Sequence, residues 1–510
     1  MIENTVKNAK EIQPFSFILT EREKNLVELF RNICDYIHQS QPNLPPITVR
    51  FVGGWVRDKL LNIECSDLDV ALDTMLGHEF ALYVNKYLSE KNLSLEHVQK
   101  IESNPEKSRH LETAKGFIYG QWIDFINLRT ETYSENSRVP NMEFGSPEED
   151  AFRRDITINA LFYNIHTNTI EDFTGKGIED LKNKFIRTPL CPKLTFTDDP
   201  LRILRTVRFA SRLNFKLAED IGDASRIPEI KQALQTKVSR SRIGNEVDKM
   251  LTGANPVLAI QFLNNFNLLD IIIDKPETLD TNLDLFDYSE AITSLECTEW
   301  ILSKTKSYQL VPKFSLPFTE KYLRILKFAA LLLPFRRYHY IEKRKTYNYC
   351  RYIMRTGFQL PNRDSDAVVI IHKYIDDIIQ IANHSIDDKI AIGNVITNIG
   401  ILPVYEDWSI ALLLAISTEL VTTPEYTDEM KEKILHKYTR LAKNIDEFEL
   451  DQCWNWKSVV DGKHALNILH MKPGPKVREI MTSIKHWQFL NPHGTQEECE
   501  TWLKETYGES

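Results

Sequence analysis

The sequence predicts an α+β protein in which a small mixed-sheet domain precedes an all-α remainder. Between residues 47 and 183, short β-rich runs alternate with helical or polar segments, which is typical of a domain built on a small sheet. From Asp199 onward almost every segment has helical periodicity, interrupted by Pro and Gly. We predict an N-terminal helical extension (1–46), a head that carries the sheet (47–183), a helical neck (184–260), and a helical body and tail (261–510).

The individual elements follow from local pattern, starting at the N-terminus. Apolar residues recur at helical spacing across 24–38, which predicts a helix. The strands predicted for the head are 47–52, 67–71, 122–128 and 161–164. The polar stretch 129–150 is predicted to be a long loop, of the kind that often forms a lid over a site.

Composition excludes several classes of protein. The hydrophobic fraction of 42% and the charged fraction of 26% are ordinary for a globular chain, which excludes disordered and collagen-like classes. The longest apolar runs, 328–335 and 410–416, are far shorter than the ~20 residues that span a bilayer. A net charge of −9 argues against a protein that coats nucleic acid through its overall positive charge. A local basic surface is still compatible with this net charge. The seven scattered cysteines, with no C-x-x-C pair, predict neither a disulfide framework nor a zinc site.

The most informative stretch combines two glycines with two aspartates. Gly53-Gly54 is followed, after twelve residues, by Asp67 and Asp69. In a strand, residues two apart project from the same face, so these carboxylates lie side by side. They repel each other unless a cation lies between them, and Mg²⁺ prefers such hard oxygen ligands. The glycines leave backbone N–H groups free to approach a triphosphate closely. The pattern resembles the polymerase-β-type nucleotidyltransferase superfamily.

Further motifs follow in order. They are Arg-Arg-Asp at 153–155 with Asn at 159, Gly-x-x-Asp-Leu at 177–181, an acidic pair with arginine at 198–202, and the segment 238–246. Over about residues 47–250 this set resembles the class II tRNA nucleotidyltransferases, the CCA-adding enzymes, of the eukaryotic and fungal kind. Residues 104–114 also look like that type. Two departures are visible, since Asp198 and Ser241 stand where the family has Glu.

The resemblance implies roles for individual residues. Asp67 and Asp69 would be catalytic and would hold two Mg²⁺ ions, one activating the 3′-hydroxyl of the RNA and the other stabilising the leaving pyrophosphate. The implied nucleotide-binding residues are Gly54, Arg57, Arg154, Asp199, Arg202, Arg205 and Arg208. Asp155 is a candidate acceptor for a ribose hydroxyl. Asp124 is equally compatible with a third catalytic carboxylate and with a structural role.

Hydrogen-bonding chemistry gives Asp199 and Arg202 a selective function. Cytosine and adenine both offer an amino donor beside a ring-nitrogen acceptor, whereas uracil and guanine offer the reverse. A carboxylate accepts from the amino group while a guanidinium donates to the ring nitrogen, so the pair favours C and A. In the family that the sequence resembles, this pair serves as a template made of protein. Asp199 before Pro200 is also predicted as a helix N-cap, and the helix that follows is apolar nearly all round, which predicts its burial.

A basic, tyrosine-rich stretch lies in the helical remainder. Residues 321–355 contain ten Lys or Arg and one acid, Glu342, with six tyrosines interleaved. Basic residues neutralise phosphates and tyrosines stack on bases, so we predict that this stretch contacts RNA. The segment 471–476 resembles the end of eukaryotic family members and is a candidate for gripping tRNA.

The predicted activity is template-independent addition of C, C and A to the 3′ end of tRNA from CTP and ATP. The expected partners are tRNA and these two nucleotides, with neither DNA nor a membrane. The expected location is the cytoplasm, with the mitochondrion and nucleus as additional sites. Three alternatives remain open: a class II poly(A) polymerase, an enzyme that adds only part of the triplet, and a catalytically silent RNA-binding protein.

Overall fold

The computed structural model describes residues 17–65, 67–91, 97–101, 113–134, 137–279, 288–312, 316–400, 408–423 and 427–508. They form two compact units, Met1–Val238 and Ser239–Ser510. The predicted fold class is confirmed: a small mixed sheet lies in the first unit, and helices dominate thereafter. The division into extension, head, neck, body and tail stays a prediction.

The first unit is built on a seven-stranded sheet. Its strands are β1 (Val49–Val52), β2 (Asp67–Leu72), β3 (His97–Ile101), β4 (Thr113–Ile118), β5 (Gln121–Asn127), β8 (Phe162–Asn164) and β9 (Thr169–Glu171). The spatial order is β3-β4-β5-β2-β1-β8-β9, in which β2 and β5 run parallel and all other neighbours antiparallel. All four strands predicted for the head are present, with ends shifted by one or two residues.

Helices cover this sheet and continue beyond it. They are α1 (Glu21–Ser40), α2 (Gly54–Leu60), α3 (Gly77–Glu90), α4 (Pro147–Phe152), α5 (Gly177–Lys182), α6 (Pro192–Asp198), α7 (Leu201–Leu213), α8 (Glu219–Ser225) and α9 (Pro228–Lys237). Helix α1 begins with a capping box between Thr20 and Glu23, as its sequence allows. Its buried Phe30 packs against Phe51, Phe80 and Phe125, with ring centroids 5.8–6.2 Å apart. The predicted helix at 24–38 therefore anchors the sheet.

The prediction of a long loop at 129–150 is wrong. The chain there forms an antiparallel hairpin of β6 (Arg129–Ser134) and β7 (Ser137–Phe144), followed by α4 with its capping box of Ser146 and Glu149. Both strands are largely polar, so they lack the alternation of apolar residues that marks a half-buried strand. A second two-stranded pairing joins β10 (Phe185–Ile186) to β11 (Lys216–Leu217).

The second unit consists mainly of packed helices. They are α10 (Arg240–Leu251), α11 (Pro256–Asn265), α12 (Leu269–Ile272), α13 (Ser289–Tyr308), α14 (Glu320–Leu331), α15 (Tyr349–Tyr352), α16 (Asn362–His384), α17 (Lys389–Gly400), α18 (Ile410–Thr422), α19 (Asp428–Glu447), α20 (Gly462–Ile468), α21 (Lys476–Leu490) and α22 (Gln496–Tyr507). The expectation that this part is purely helical needs one correction, a hairpin of β12 (His339–Glu342) and β13 (Lys345–Asn348). Helix α18 is buried along most of its length among α13, α14 and α16. Within the described ranges, no helix has the length and apolar character that crossing a membrane requires.

Candidate active site

Strand register brings three carboxylates to one face of the sheet. Asp67 is paired with Trp122 and Asp69 with Asp124 across the parallel strands β2 and β5. The intervening Leu68 is buried on the opposite face, as the predicted alternation requires. Lys115 Nζ lies 3.3 Å from Asp124 Oδ2 and is its ion-pair partner. The two predicted catalytic aspartates therefore share a face with Asp124.

The environment of Asp69 disfavours the negative charge of its carboxylate. Burial, together with the neighbouring carboxylates of Asp124 and Asp67, raises its pKa from 3.8 to about 6, against the opposing effect of the Arg154 guanidinium. A carboxylate that is desolvated and close to other carboxylates is stabilised by a bound cation. The arrangement therefore favours a positively charged ligand.

The donor set fits a hard divalent cation. Within the described residues, no three His, Cys, Asp or Glu side chains form a complete ion-binding cluster by themselves. Mg²⁺ is commonly held by only one or two carboxylates, with water and substrate phosphates as the other ligands. The face formed by Asp67 and Asp69 supplies that number of carboxylates.

The glycine turn lies directly beside this face. Gly53 has a φ of +72°, a conformation that residues with a side chain rarely adopt. A Cβ at this position would meet Arg154 Nη1 at 3.0 Å and Asp69 Oδ2 at 3.8 Å. Gly54 follows as the first residue of α2 and is partly exposed. The turn, Asp69 and Arg154 thus form one compact group.

A buried aspartate holds the two adjacent arginines in place. Arg153 Nε donates to Asp150 Oδ1 at 2.9 Å, and Arg154 donates to Asp150 Oδ2 through Nε at 2.9 Å and Nη2 at 2.7 Å. Burial would raise the pKa of Asp150, but the two guanidiniums hold it below its usual value. Arg154 also donates to the Asn159 carbonyl at 3.1 Å. Arg154 is thereby directed towards the glycine turn.

Arg57 is almost completely buried and joins this group to helix α7. Its Nε donates to Asp58 Oδ1 at 2.8 Å, and its guanidinium also contacts the Asn159 side chain. Its guanidinium carbon lies 5.1 Å from the centroid of the Phe209 ring, over which Arg205 and Arg208 also lie, at 5.6 and 4.2 Å. Three predicted nucleotide-binding arginines therefore surround one aromatic ring, where cation–π attraction supports them.

Helix α7 has the burial expected from its sequence, but it begins one residue later than predicted. The N-cap is Pro200, and the first helical residue is Leu201. Asp199 still caps in effect, because its Oδ1 accepts from the Leu201 N–H at 3.1 Å. The Asp199 carbonyl accepts from the Arg202 N–H at 3.0 Å. Asp199 and Arg202 are thus fixed to each other by the backbone of the first turn.

Asp155 is fully engaged by protein groups. Its Oδ2 accepts from Arg205 Nε at 2.8 Å and Nη2 at 2.7 Å, and its Oδ1 accepts from the Ile156 N–H at 3.0 Å and Asn159 Nδ2 at 3.1 Å. Burial alone would raise the pKa of Asp155, but Arg205, the hydrogen bonds and Arg202 lower it to about 2. The candidate ribose acceptor therefore links the head to α7 in this structure.

Arg240, from the motif at 238–246, has a structural role in the second unit. Arg240 donates to the carbonyls of Gly357 at 2.8 Å and Ile271 at 2.9 Å, and also contacts the Ile272 carbonyl. Ser241, which replaces the family's Glu, lies 3.3 Å from Ser239 between hydroxyl oxygens. This motif organises the start of α10. The other feature of the resemblance, residues 104–114, lies largely outside the described residues.

Known proteins are similar to this chain in sequence and in fold. The family described as Poly A polymerase head domain matches residues 49–187. The mitochondrial CCA tRNA nucleotidyltransferase of Saccharomyces cerevisiae is 36% identical, over 98% of this chain and 95% of that protein. The chain belongs to the CCA tRNA nucleotidyltransferase family. A tRNA nucleotidyltransferase of Schizosaccharomyces pombe is 34% identical, over 94% of this chain and 95% of that protein. A solved CCA-adding enzyme in an apo form shares the fold, with a TM-score of 0.64 at 19% identity, over 94% of this chain and 96% of that chain.

Membership of this family confirms the resemblance predicted from the sequence and identifies the chain as a CCA tRNA nucleotidyltransferase. Sequence reasoning missed two residues that shape its site. Asp150 lies four residues before Arg154, a helical spacing that the loop prediction at 129–150 concealed. Phe209 follows Arg208 directly and reads as one of many apolar residues of α7. Phe209 therefore carries no signal of its own in the sequence.

The link between Asp155 and Arg205 gives a first testable prediction for this nucleotidyltransferase. We expect Asp155→Asn to destabilise the protein by about 1–3 kcal/mol, because it removes a buried, charge-assisted hydrogen-bond pair to a partly exposed arginine. We also expect kcat/KM to fall for CTP and ATP and the selectivity against UTP and GTP to decrease, because this ion pair fixes the position of α7. Since the pKa of Asp155 is lowered to about 2, its contribution should persist above about pH 4 and be lost as the pH falls towards 2.

Thermal unfolding and steady-state kinetics of a double-mutant cycle check this prediction. The cycle compares Asp155→Asn, Arg205→Gln and the double variant, so that the coupling between the two side chains is measured directly. Asp223→Asn, which alters an exposed carboxylate of the same unit, is the control. Additive effects of the two substitutions would contradict the link.

Proposed function

We propose that this enzyme adds C, C and A to the 3′ end of tRNA that lacks all or part of this triplet, using CTP and ATP. The observation that carries the proposal is the face formed by Asp67, Asp69 and Asp124 beside the glycine turn and Arg154. The names of the full-length relatives support the same activity. In each addition, the 3′-hydroxyl oxygen of the RNA bonds to the α-phosphorus, the bond from that phosphorus to the bridging oxygen breaks, and pyrophosphate and a proton leave.

Asp67 and Asp69 are the residues that we propose to hold the catalytic Mg²⁺ ions. When bound, two ions would activate the attacking hydroxyl and stabilise the leaving pyrophosphate. Asp124 shares the face and raises the pKa of Asp69, so we assign it to the same acidic site. Its ion pair with Lys115 partly compensates the negative charge of this acidic site.

The arginines next to these acids are proposed to bind the nucleotide. Arg154 lies nearest the acidic face, and Gly54 opens the backbone at the first turn of α2. Arg57 and Arg208 lie over the Phe209 ring and are partly neutralised or buried there. Arg205 donates to Asp155, so we propose that it acts on the triphosphate from a fixed position. The group as a whole provides the positive charge that a triphosphate requires.

Asp199 and Arg202 are proposed to select the base. Arg202 lies in the first turn of the buried helix α7, and the Asp199 side chain accepts from the Leu201 N–H at the start of that helix, which reduces the freedom of both groups. Asp199 would accept from the amino group of C or A, and Arg202 would donate to the adjacent ring nitrogen. Uracil and guanine would place a carbonyl against the carboxylate and would be rejected.

The substrate RNA is proposed to bind through the body and tail, including residues 321–355 and 471–476. The relative from Saccharomyces cerevisiae is named a mitochondrial enzyme, which supports the mitochondrion as one location. The cytoplasm and nucleus stay predictions.

Incorporation of single nucleotides tests the proposed function. Purified protein is incubated with Mg²⁺ and a tRNA transcript lacking its 3′ end, and each radiolabelled nucleotide is supplied alone and in combination. We expect two C residues with CTP alone and a single further A when ATP is added. A long A tail would instead indicate a poly(A) polymerase, A added only to tRNA ending in CC a partial enzyme, and no incorporation a silent RNA-binding protein.

A further inference from the structure

Many basic residues of the stretch 321–355 are bound within the second unit. Arg324 donates to Asp364 at 2.6 Å and also contacts Asp248. Further pairs join Lys327 to Glu299 at 3.0 Å, Arg336 to Asp376 at 2.7 Å, and Arg355 to the Ser365 hydroxyl at 2.7 Å. These four cations hold helices together, so we assign RNA binding by the stretch to its other basic residues.

Three consecutive exposed cations are concentrated at the tip of the β12–β13 hairpin. Lys343 and Arg344 form its two-residue turn, and Lys345 begins β13. In the strand register Glu342, which is the only acid of the stretch, lies opposite Lys345. The tip therefore carries a net positive charge that projects into solvent.

The backbone of this turn is unfavourable for these two residues. Lys343 has a φ of +47° and Arg344 a φ of +64°, the pattern of a type I′ turn, for which Asn-Gly is strongly preferred. Residues with a Cβ adopt this left-handed region at an energetic cost. Two long cationic side chains thus occupy positions where turn chemistry disfavours them, which is typical of a functional constraint.

The base of the hairpin is rigid. The Tyr340 ring packs against Tyr347 and Tyr352, with centroids 5.7 and 5.4 Å apart, and Arg351 lies 4.0 Å over the Tyr347 ring. The Ile341 carbonyl accepts from the Thr278 hydroxyl at 2.6 Å. The tyrosines of this stretch therefore pack at the base of the hairpin and hold its tip in position.

We propose that the hairpin tip, Lys343 to Lys345, binds the phosphate backbone of the RNA substrate. The inference rests on the proposed function and assigns one binding surface for its tRNA. Adjacent Lys and Arg side chains on a protruding turn match closely spaced phosphates, and Arg provides bidentate hydrogen bonds to phosphate oxygens. Contacts of this kind position the RNA without reading its sequence.

The double variant Lys343→Asn/Arg344→Gly tests the proposal, because it removes both charges and also supplies the residues that the turn prefers. We expect its melting temperature to equal or exceed that of the wild type. We expect the dissociation constant for tRNA to rise about tenfold at moderate salt, and the slope of log K against log salt to fall by about 2. The single variant Lys345→Gln, which leaves the turn intact, should reduce the slope by about 1.

A matched control removes two charges elsewhere in the same unit. Lys433→Gln/Lys443→Gln on α19 alters side chains that are 72% and 70% exposed, and gives the same net charge. The proposal is overturned if the hairpin variants bind tRNA with unchanged affinity and salt slope, or if the control loses as much affinity as the hairpin variant. Nucleotide incorporation by the wild type, measured in parallel, separates these outcomes from a failure of the proposed function itself.

Discussion

Asp69→Asn is expected to reduce nucleotide incorporation by about 10³-fold or more, while tRNA binding stays within about twofold of the wild type. The substitution keeps the size and one oxygen of the side chain but removes the negative charge that a bound cation needs. Asp69 lies beside Asp67 and Asp124, where its charge is costly without a cation. Single-turnover incorporation of CTP and direct tRNA binding measure the two effects separately.

Thermal unfolding adds a second readout for the same variant. Mg²⁺ should raise the melting temperature of the wild type by mass action and should have little effect on Asp69→Asn. The exposed carboxylate of Asp223 again serves as the control site. If tRNA binding were lost together with catalysis, or if incorporation survived, Asp69 would not be the cation-binding group that we propose.

Asp199→Asn is expected to reduce discrimination against UTP and GTP by roughly 10–100-fold, in line with about 1–3 kcal/mol for a bidentate base contact. A carboxylate only accepts hydrogen bonds, whereas an amide also donates and therefore tolerates the carbonyl of uracil or guanine. The backbone of the first turn of α7 should be retained, because the Asn oxygen still accepts from the Leu201 N–H. Values of kcat/KM for all four nucleotides give the selectivity.

The neighbouring acid provides a matched comparison for this variant. Asp198→Asn removes the same charge one residue earlier, at the end of α6, and should leave selectivity unchanged. A uniform decrease for all four nucleotides in Asp199→Asn would mean that Asp199 acts through the helix start instead of the base. The kcat/KM values for the four nucleotides thus distinguish a role of Asp199 in base selection from a role in stabilising the start of the helix.

Local spacing was sufficient to predict the acidic face and the buried helix. The two-residue spacing of Asp67 and Asp69 determines their common face in any strand, and the apolar surroundings of Arg202 and Arg208 require a buried α7. Both conclusions depend on short-range periodicity, which is present in a single sequence. The helix start was misplaced by one residue, as is common for element ends.

Other parts of the site depend on long-range pairing that no local pattern records. Asp124 becomes a neighbour of Asp69 only through the parallel register of β2 with β5. The partner of Asp155 lies fifty residues away, on α7. The hairpins β6–β7 and β12–β13 consist largely of polar or aromatic residues and lack a clear alternation of apolar side chains. Their pairing depends on contacts that sequence analysis alone does not provide.

The full set of hydrogen bonds that Asp155 accepts has a consequence for the accuracy of base selection. A template made of two side chains has no second strand to align the incoming base. Its accuracy depends on how rigidly the protein holds the two side chains in position. Asp155 accepts four hydrogen bonds, two of them from Arg205 on α7, the helix that carries Arg202 and directly follows Asp199 and Pro200. Thermal displacement of that helix relative to the acidic strands would blur the distinction between one base and another. If Asp199 and Arg202 select the base as we propose, the accuracy of selection depends on the stiffness of this scaffold, to which an ion pair away from the base contributes.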